Sequence, residues 1–249
     1  MMKIDLNCDL AEGAGIEAQI MPFISSANIA CGFHAGDPLL MKETIQLCMN
    51  HKVAIGAHPS FPDRENFGRT NMELAPEQVY ALVTEQILLL QTIAQDMGTS
   101  LHHVKPHGAL YNMSAKDQAL ARAIASAVFD CNPGLILFGL SGSISIREAK
   151  LKGLKTAAEV FADRTYQDDG SLTPRTFGHA LITDTRVAVN QAVNFAQGKP
   201  IQSAQGNPLT LNAETICLHG DGVHAVEFAR QIFEGLQNQN IQIGYASMD

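Results

Sequence analysis

Side chains that can move protons or hold ions stand where the strand-like segments of this chain end. His34, His58, His107 and His219 follow such segments, together with Asp9, Lys105, Glu159, the pair Asp163 and Arg164, and Asp221. Imidazole titrates near neutral pH, so His58, His107 and His219 are candidate general acids or bases. Lys105 has three readings: a charge partner for Asp9 or Glu159, a nucleophile, or a clamp on a phosphate or carboxylate. The nucleophile would need a depressed pKa, and the clamp is the preferred reading. Asp9, His34 and His58 also form a candidate set for a divalent metal, although their spacing is no H-E-x-x-H signature. One histidine at a strand end is most often structural. Recurrence at successive ends favours one shared site.

The elements that must position these groups carry an unusual alternation. In Lys3 to Asp9, Ile4, Leu6 and Cys8 fall on one face, and Asp5, Asn7 and Asp9 on the other. The grammar returns with His103, Lys105 and His107, and again with Cys217, His219 and Asp221. Buried polar groups cost free energy unless paired, so polar faces on strand after strand predict a common polar interior. Small residues precede two of the histidines: Asn28, Ala30, Gly32 and His34 share a face, as do Ala54, Gly56 and His58. They leave room either for a ligand or for large neighbours packing across.

Strands are predicted at 3–8, 27–31, 53–57, 102–105, 135–140, 155–161 and 215–219. Helices are predicted at 38–51, 76–97, 115–130, 143–152, 183–197 and 222–237. Pro38 and Pro76 suit a first helical turn, Asp37 suits an N-cap, and Gly98 suits a stop. From Pro76, the residues Val79, Leu82, Val83, Gln86, Leu89, Leu90 and Ile93 form an almost continuous apolar stripe. Strands that alternate with helices imply parallel pairing through crossovers. A closed (βα) barrel of seven parallel strands is favoured over an open sheet, because closure alone brings the polar faces of the first and last strands together. The chain reads as a single α/β domain over 1–249. Residues 162–182 and 198–214 are long connections, and 241–245 is either a further strand or a packed tail.

Composition narrows the function. With 17 Lys and Arg against 25 Asp and Glu, the net charge of −8 argues against a nucleic-acid or anionic-membrane partner. Five scattered cysteines without a C-x-x-C pair fit free thiols in a reducing compartment. The early first strand leaves no room for a signal peptide, and no apolar run reaches bilayer-spanning length, so a cytoplasmic location is expected. The turns Glu12-Gly13-Ala14-Gly15 and Gly139-Leu140-Ser141-Gly142-Ser143 match no phosphate-loop pattern. Each reads first as a tight turn, although free N–H groups at the second could hold an anion.

The motifs Asp5-Leu6-Asn7-Cys8-Asp9-Leu10, Ala27 to Pro38, Gly56-Ala57-His58-Pro59, Val104 to Tyr111, Phe161-Ala162-Asp163-Arg164 with Asp169-Gly170, and His219-Gly220-Asp221 stand in order from residue 5 to 221. They resemble the LamB/YcsF family, which supplies one component of the prokaryotic ATP-dependent 5-oxoprolinase. The resemblance implies opening of the 5-oxoproline (pyroglutamate) lactam to L-glutamate, coupled to hydrolysis of ATP with Mg²⁺ and carried out with B and C subunits. It also implies a barrel related to the glycoside hydrolases and carbohydrate deacetylases. The candidate catalytic residues, from the strand ends and these motifs together, are Asp9, His58, Lys105, His107, Glu159 and His219. The candidate substrate contacts are Asn7, Glu12, Asn28, His34, Arg164 and Asp221. Two departures stand out: Ala11 replaces the usual glycine before Glu12, and Gly222-Val223-His224 replaces a segment that often carries proline. The competing readings are a stand-alone metal-dependent deacetylase or amidohydrolase and a non-catalytic substrate-binding subunit.

Overall fold

A computed structural model describes residues 2–218 and 225–245. Strand β1 (Lys3–Leu10) is followed by the short helix α1 (Glu17–Ile20), a 3-10 turn (Met21–Phe23) and β2 (Ser26–Ala30). Then come α2 (Pro38–His51), β3 (Ala54–His58), α3 (Pro76–Asp96), β4 (His103–Val104), α4 (Gly108–Ser114), α5 (Gln118–Cys131) and β5 (Ile136–Leu140). The chain continues through α6 (Ile144–Lys152), β6 (Lys155–Phe161), α7 (Thr185–Ala196), a small hairpin of β7 (Ile201–Gln202) and β8 (Pro208–Leu209), and β9 (Thr215–Leu218). It closes with α8 (Ala225–Asn238) and β10 (Gln242–Ile243).

Strands β1 to β6 pair in order, β6 pairs β9, and β9 returns to β1, all in parallel. This is a closed barrel of seven parallel strands with helices between them, as the alternation of elements predicts. The segment 241–245, open between strand and tail, supplies β10, which adds in parallel beside the start of β1. Strand β4 is short because Pro106 follows Lys105. The pairing nevertheless continues, since Lys105 N–H donates to Ala57 O at 2.9 Å and His107 N–H to Pro59 O at 2.8 Å.

Every residue of β1 after Lys3 is buried, which explains its alternation. Its apolar face meets the helical layer and its polar face meets the barrel interior, where carboxylates and amides find partners on neighbouring strands. Helix α2 starts as predicted, with Asp37 accepting from Leu39 N–H and Leu40 N–H. Asp117, Ser143 and Asp184 cap α5, α6 and α7 in the same way. The cap at Asp117 also splits the predicted helix 115–130, so that α4 is a separate element carrying Tyr111. In α3 the buried face is Val79, Val83, Gln86, Ile87, Leu90, Ile93 and Ala94, whereas Leu89 is exposed. Leu89 follows Val79 by ten residues, a step that carries it off the core-facing stripe at 3.6 residues per turn.

Candidate active site

The barrel interior is built in layers of polar side chains. At the floor, Asp5 accepts from Ser25 Oγ at 2.6 Å, from Ser26 Oγ at 2.8 Å and from Thr215 Oγ1. Above it, Asn7 Nδ2 donates to Glu159 Oε1 (2.9 Å) and Thr215 Oγ1 (2.7 Å). Asn28 Nδ2 donates to Asn7 Oδ1 (2.7 Å) and Asp9 Oδ1 (2.8 Å), and Asn28 Oδ1 lies 2.8 Å from His103 Nε2. The His103 ring stacks on Phe138 with centroids 4.1 Å apart. Gly56 makes room for that ring: a Cβ there would lie 2.1 Å from His103 Nε2. Of the two uses expected of the small residue at position 56, packing across the barrel is the one observed.

Lys105 is the hub. Its ammonium, 2% exposed, donates to Asp9 Oδ1 (2.9 Å), Asn7 Oδ1 (3.2 Å) and Cys217 Sγ (3.0 Å), and it lies 2.9 Å from Glu159 Oε1. Burial, the largest influence on it, opposes its charge. Asp9 and Glu159 outweigh that cost and hold the lysine well above its ordinary pKa. A lysine so placed is a charge partner for Asp9 and Glu159, one of its three readings from the sequence. Glu159 is wholly buried. Its Oε2 and the Tyr111 hydroxyl are buried oxygens without hydrogen-bond partners among the described residues.

The third group is aromatic. His58 Nδ1 lies 2.6 Å from Lys105 O, and its Nε2 lies 2.9 Å from His107 Nδ1 and 3.3 Å from Asp9 Oδ2. His107 Nε2 lies 2.9 Å from Phe67 O, and its ring stacks on His34 at 3.9 Å. His34 Nδ1 lies 2.8 Å from Ser60 Oγ and its Nε2 3.0 Å from Glu12 Oε1. Burial pushes His34 and His107 down to about 3, with His58 beside them adding to the effect. Both rings are therefore neutral at pH 7. Glu12 is aimed here from the turn after β1, where Ala11 takes the left-handed conformation at φ 59°. Gly68 does similar work opposite, since a Cβ at its φ of +66° would lie 2.9 Å from His107 Cδ2.

The structure thus brings together Asn7, Asp9, Glu12, Asn28, His34, His58, Lys105, His107 and Glu159 of the predicted residues. The Arg164 guanidinium donates to Thr173 O (2.6 Å) and Ala180 O (3.2 Å), which ties down the long loop after β6. His219 and Asp221 lie outside the described residues. Of the candidate metal set, His34 and His58 fall in one cluster of donor atoms, and Asp9 Oδ2 stands 3.3 Å from His58 Nε2. The donor atoms that converge, all within 4.8 Å of one another, belong to Glu12, His34, His58 and His107, whereas Asp9 bonds Lys105 and Asn28. The Gly139–Ser143 turn is a tight turn, with Ser143 Oγ accepting from Ile146 N–H. Tyr111, His103 and Cys217 are interior residues outside the candidate catalytic and substrate-contact sets, Tyr111 coming from α4 and the other two from polar strand faces expected inside. The last two were legible, because each shares a strand face with Lys105 or His219.

A depression of about 260 Å³ opens beside the histidines, lined by Glu12, Gly13, His34, Gly36, Arg64 and Phe67. A larger groove of about 580 Å³ runs between α7 and α8, and no barrel strand lines it.

The LamB/YcsF family profile matches residues 4–248. Among curated proteins, the A component of 5-oxoprolinase from Geobacillus kaustophilus is 53% identical over 247 residues, covering 98% of this chain and 96% of that protein. The protein of the same name from Shouchella clausii is 52% identical over 248 residues, covering 98% of both. Among solved structures, a lactam utilization protein from Thermus thermophilus superposes with a TM-score of 0.93 at 41% identity, over 98% of this chain and 100% of that one. A family 4 carbohydrate esterase from Streptomyces lividans has a TM-score of 0.51 at 13% identity, covering 99% of this chain and 93% of that one, a likeness of fold alone.

Proposed function

This chain belongs to the LamB/YcsF family, and from that premise we propose that it is the A component of an ATP-dependent 5-oxoprolinase, a hydrolase that opens the 5-oxo-L-proline lactam to L-glutamate. The observation that carries the reading is the shared name of relatives about half identical over nearly the whole chain, each the A component of 5-oxoprolinase. The name of the Thermus relative, a lactam utilization protein, supports the same substrate class. Relatives named as one component imply a multi-subunit assembly, and we assign the B and C subunits as its partners.

A five-membered lactam is unstrained and resonance-stabilised. Phosphorylation of its carbonyl oxygen by ATP would create an imidate-like electrophile for water to attack. This chain supplies the base side of that chemistry. Asp9 Oδ2 stands at the top of the interior, 3.3 Å from His58 Nε2, and is placed to take a proton from water. Lys105 Nζ lies 2.9 Å from both Asp9 Oδ1 and Glu159 Oε1 and so positions the base. With Lys105 committed to the core and the Gly139–Ser143 turn capped by its own side chain, we assign ATP binding to the partner proteins.

The test is glutamate release from 5-oxoproline by this chain with its B and C partners, with and without ATP. Glutamate that forms only with ATP and all three proteins is the expected result. An assembled complex that releases none overturns the proposal. Turnover by this chain alone without ATP would replace it with the stand-alone amidohydrolase.

A further inference from the structure

Donor atoms of two histidines and a carboxylate meet at the top of the barrel. His58 Nδ1 faces the carbonyl oxygen of Lys105 and His107 Nε2 faces that of Phe67, and a carbonyl can only accept. Each ring directs an N–H there, and in the tautomer of a metal-binding histidine its other nitrogen offers a lone pair. The nitrogens left over, His58 Nε2 and His107 Nδ1, face each other at 2.9 Å. A third lone-pair donor completes a triangle, with Glu12 Oε1 lying 3.5 Å from His107 Nδ1 and 3.8 Å from His58 Nε2. Three donor atoms so close together can share one cation.

We propose that Glu12, His58 and His107 form a binding site for one divalent first-row transition cation, of the zinc class. The edges of 2.9, 3.5 and 3.8 Å bracket the roughly 3.3 Å separation of ligands around a tetrahedral zinc with bonds near 2.0 Å. Two imidazoles with a carboxylate suit zinc, manganese, iron or cobalt better than calcium or magnesium, which prefer all-oxygen sites. The backbone carbonyls of Lys105 and Phe67 are the outer partners that fix the tautomer of a metal-binding histidine. His34 belongs to that outer layer. Its ring is stacked on that of His107, 3° from parallel with centroids 3.9 Å apart, so the two rings cannot both aim in-plane at one ion. Its Nε2, 3.0 Å from Glu12 Oε1, instead orients the carboxylate. A proton shared between His58 and His107, with Asp9 Oδ2 3.3 Å from His58 Nε2 and Glu12 Oε1 3.5 Å from His107 Nδ1, is the competing occupant. The cation makes a different prediction. The inference stands on this geometry and does not depend on the ATP-coupled reading.

The test uses the full chain, stripped with chelator and checked for its fold by circular dichroism, then titrated with Zn²⁺ by calorimetry and with Co²⁺ by visible absorption. About one ion per chain is expected, with the absorption bands of cobalt in a low-symmetry nitrogen–oxygen site. Glu12→Gln and His107→Ala are each expected to weaken binding at least tenfold, and His34→Ala by about tenfold as an orienting residue. His51→Ala, on the exposed end of α2, serves as the surface control and is expected to bind like the parent. A folded chain that takes up neither ion below millimolar concentration overturns the site in favour of the shared proton. Uptake unchanged in folded Glu12→Gln and His107→Ala, or lost in His51→Ala, overturns it as surface binding.

Discussion

At the scale of single residues, buried charge governs this site. Lys105 faces two carboxylates in an interior from which water is largely excluded, so its removal leaves anions without compensation. Lys105→Met is expected to lower stability by about 3–5 kcal/mol, the cost of breaking a buried ion pair from one side. Urea denaturation measures it, and a loss below about 1 kcal/mol would contradict the pairing. Asp9→Asn and His107→Asn should each slow glutamate formation on the order of 100-fold or more in the assembled enzyme, with the fold kept. A loss under threefold would remove the residue from proton transfer. His103 sets a pH dependence. Burial, the main cause, holds it well below 6.5, with His102 and Lys105 adding to the effect, so the folded state keeps it neutral where the unfolded chain takes up a proton. A depressed histidine contributes stability that is present above the unfolded value near 6.5 and is lost as pH falls below it. In the metal-free chain His34 and His107 act in the same direction. The urea midpoint should therefore drop between pH 7.5 and 5.5, and a flat profile would show that these rings are protonated in the folded state.

At the scale of elements, the turns after the strands do the aiming. Ala11 ends β1 in a conformation that costs a side chain about 1–2 kcal/mol, and the usual glycine of the family pattern would remove that cost. Part of the gain is offset by the greater freedom of glycine in the unfolded chain. Ala11→Gly is thus expected to stabilise by up to about 1 kcal/mol, and a clear destabilisation would refute the strain. Gly56→Ala should cost about 1–3 kcal/mol, because its methyl group would overlap the His103 ring. Much at this scale was legible in the sequence. Alternation placed Asp5, Asn7 and Asp9 on an inner face, and spacing placed helices within a few residues of their bounds. The turn strain was visible only as a departure at Ala11. Illegible were the contacts that depend on backbone atoms distant in sequence, such as Phe67 O against His107. The sequence carries no pattern for a carbonyl. It also carries no measure of how fully Lys105 and Arg164 would be satisfied by the protein itself, and both were read as reaching for a ligand.

At the scale of the whole molecule, closure makes the site. Strand β1 pairs with β9 across most of the chain, and the interior network joins Asn7 to Glu159 and Thr215. Ending the chain after residue 214 would leave β1 and β6 as open edges lined with unpaired polar groups. Such a fragment is expected to lose the cooperative urea transition and to bind a hydrophobic dye, whereas a sharp native-like transition would show that the remaining six strands suffice. Closure also sets an order of events during synthesis. Residue 5 emerges from the ribosome more than 200 residues before its bonding partner Thr215, a wait of roughly 10–40 s at ordinary rates of translation. Through that interval the nascent first strand keeps its acids hydrated and its apolar face in need of shelter. The pocket is therefore the last part of the protein to exist, and a stalled ribosome would release a chain with most of its helices and none of its chemistry.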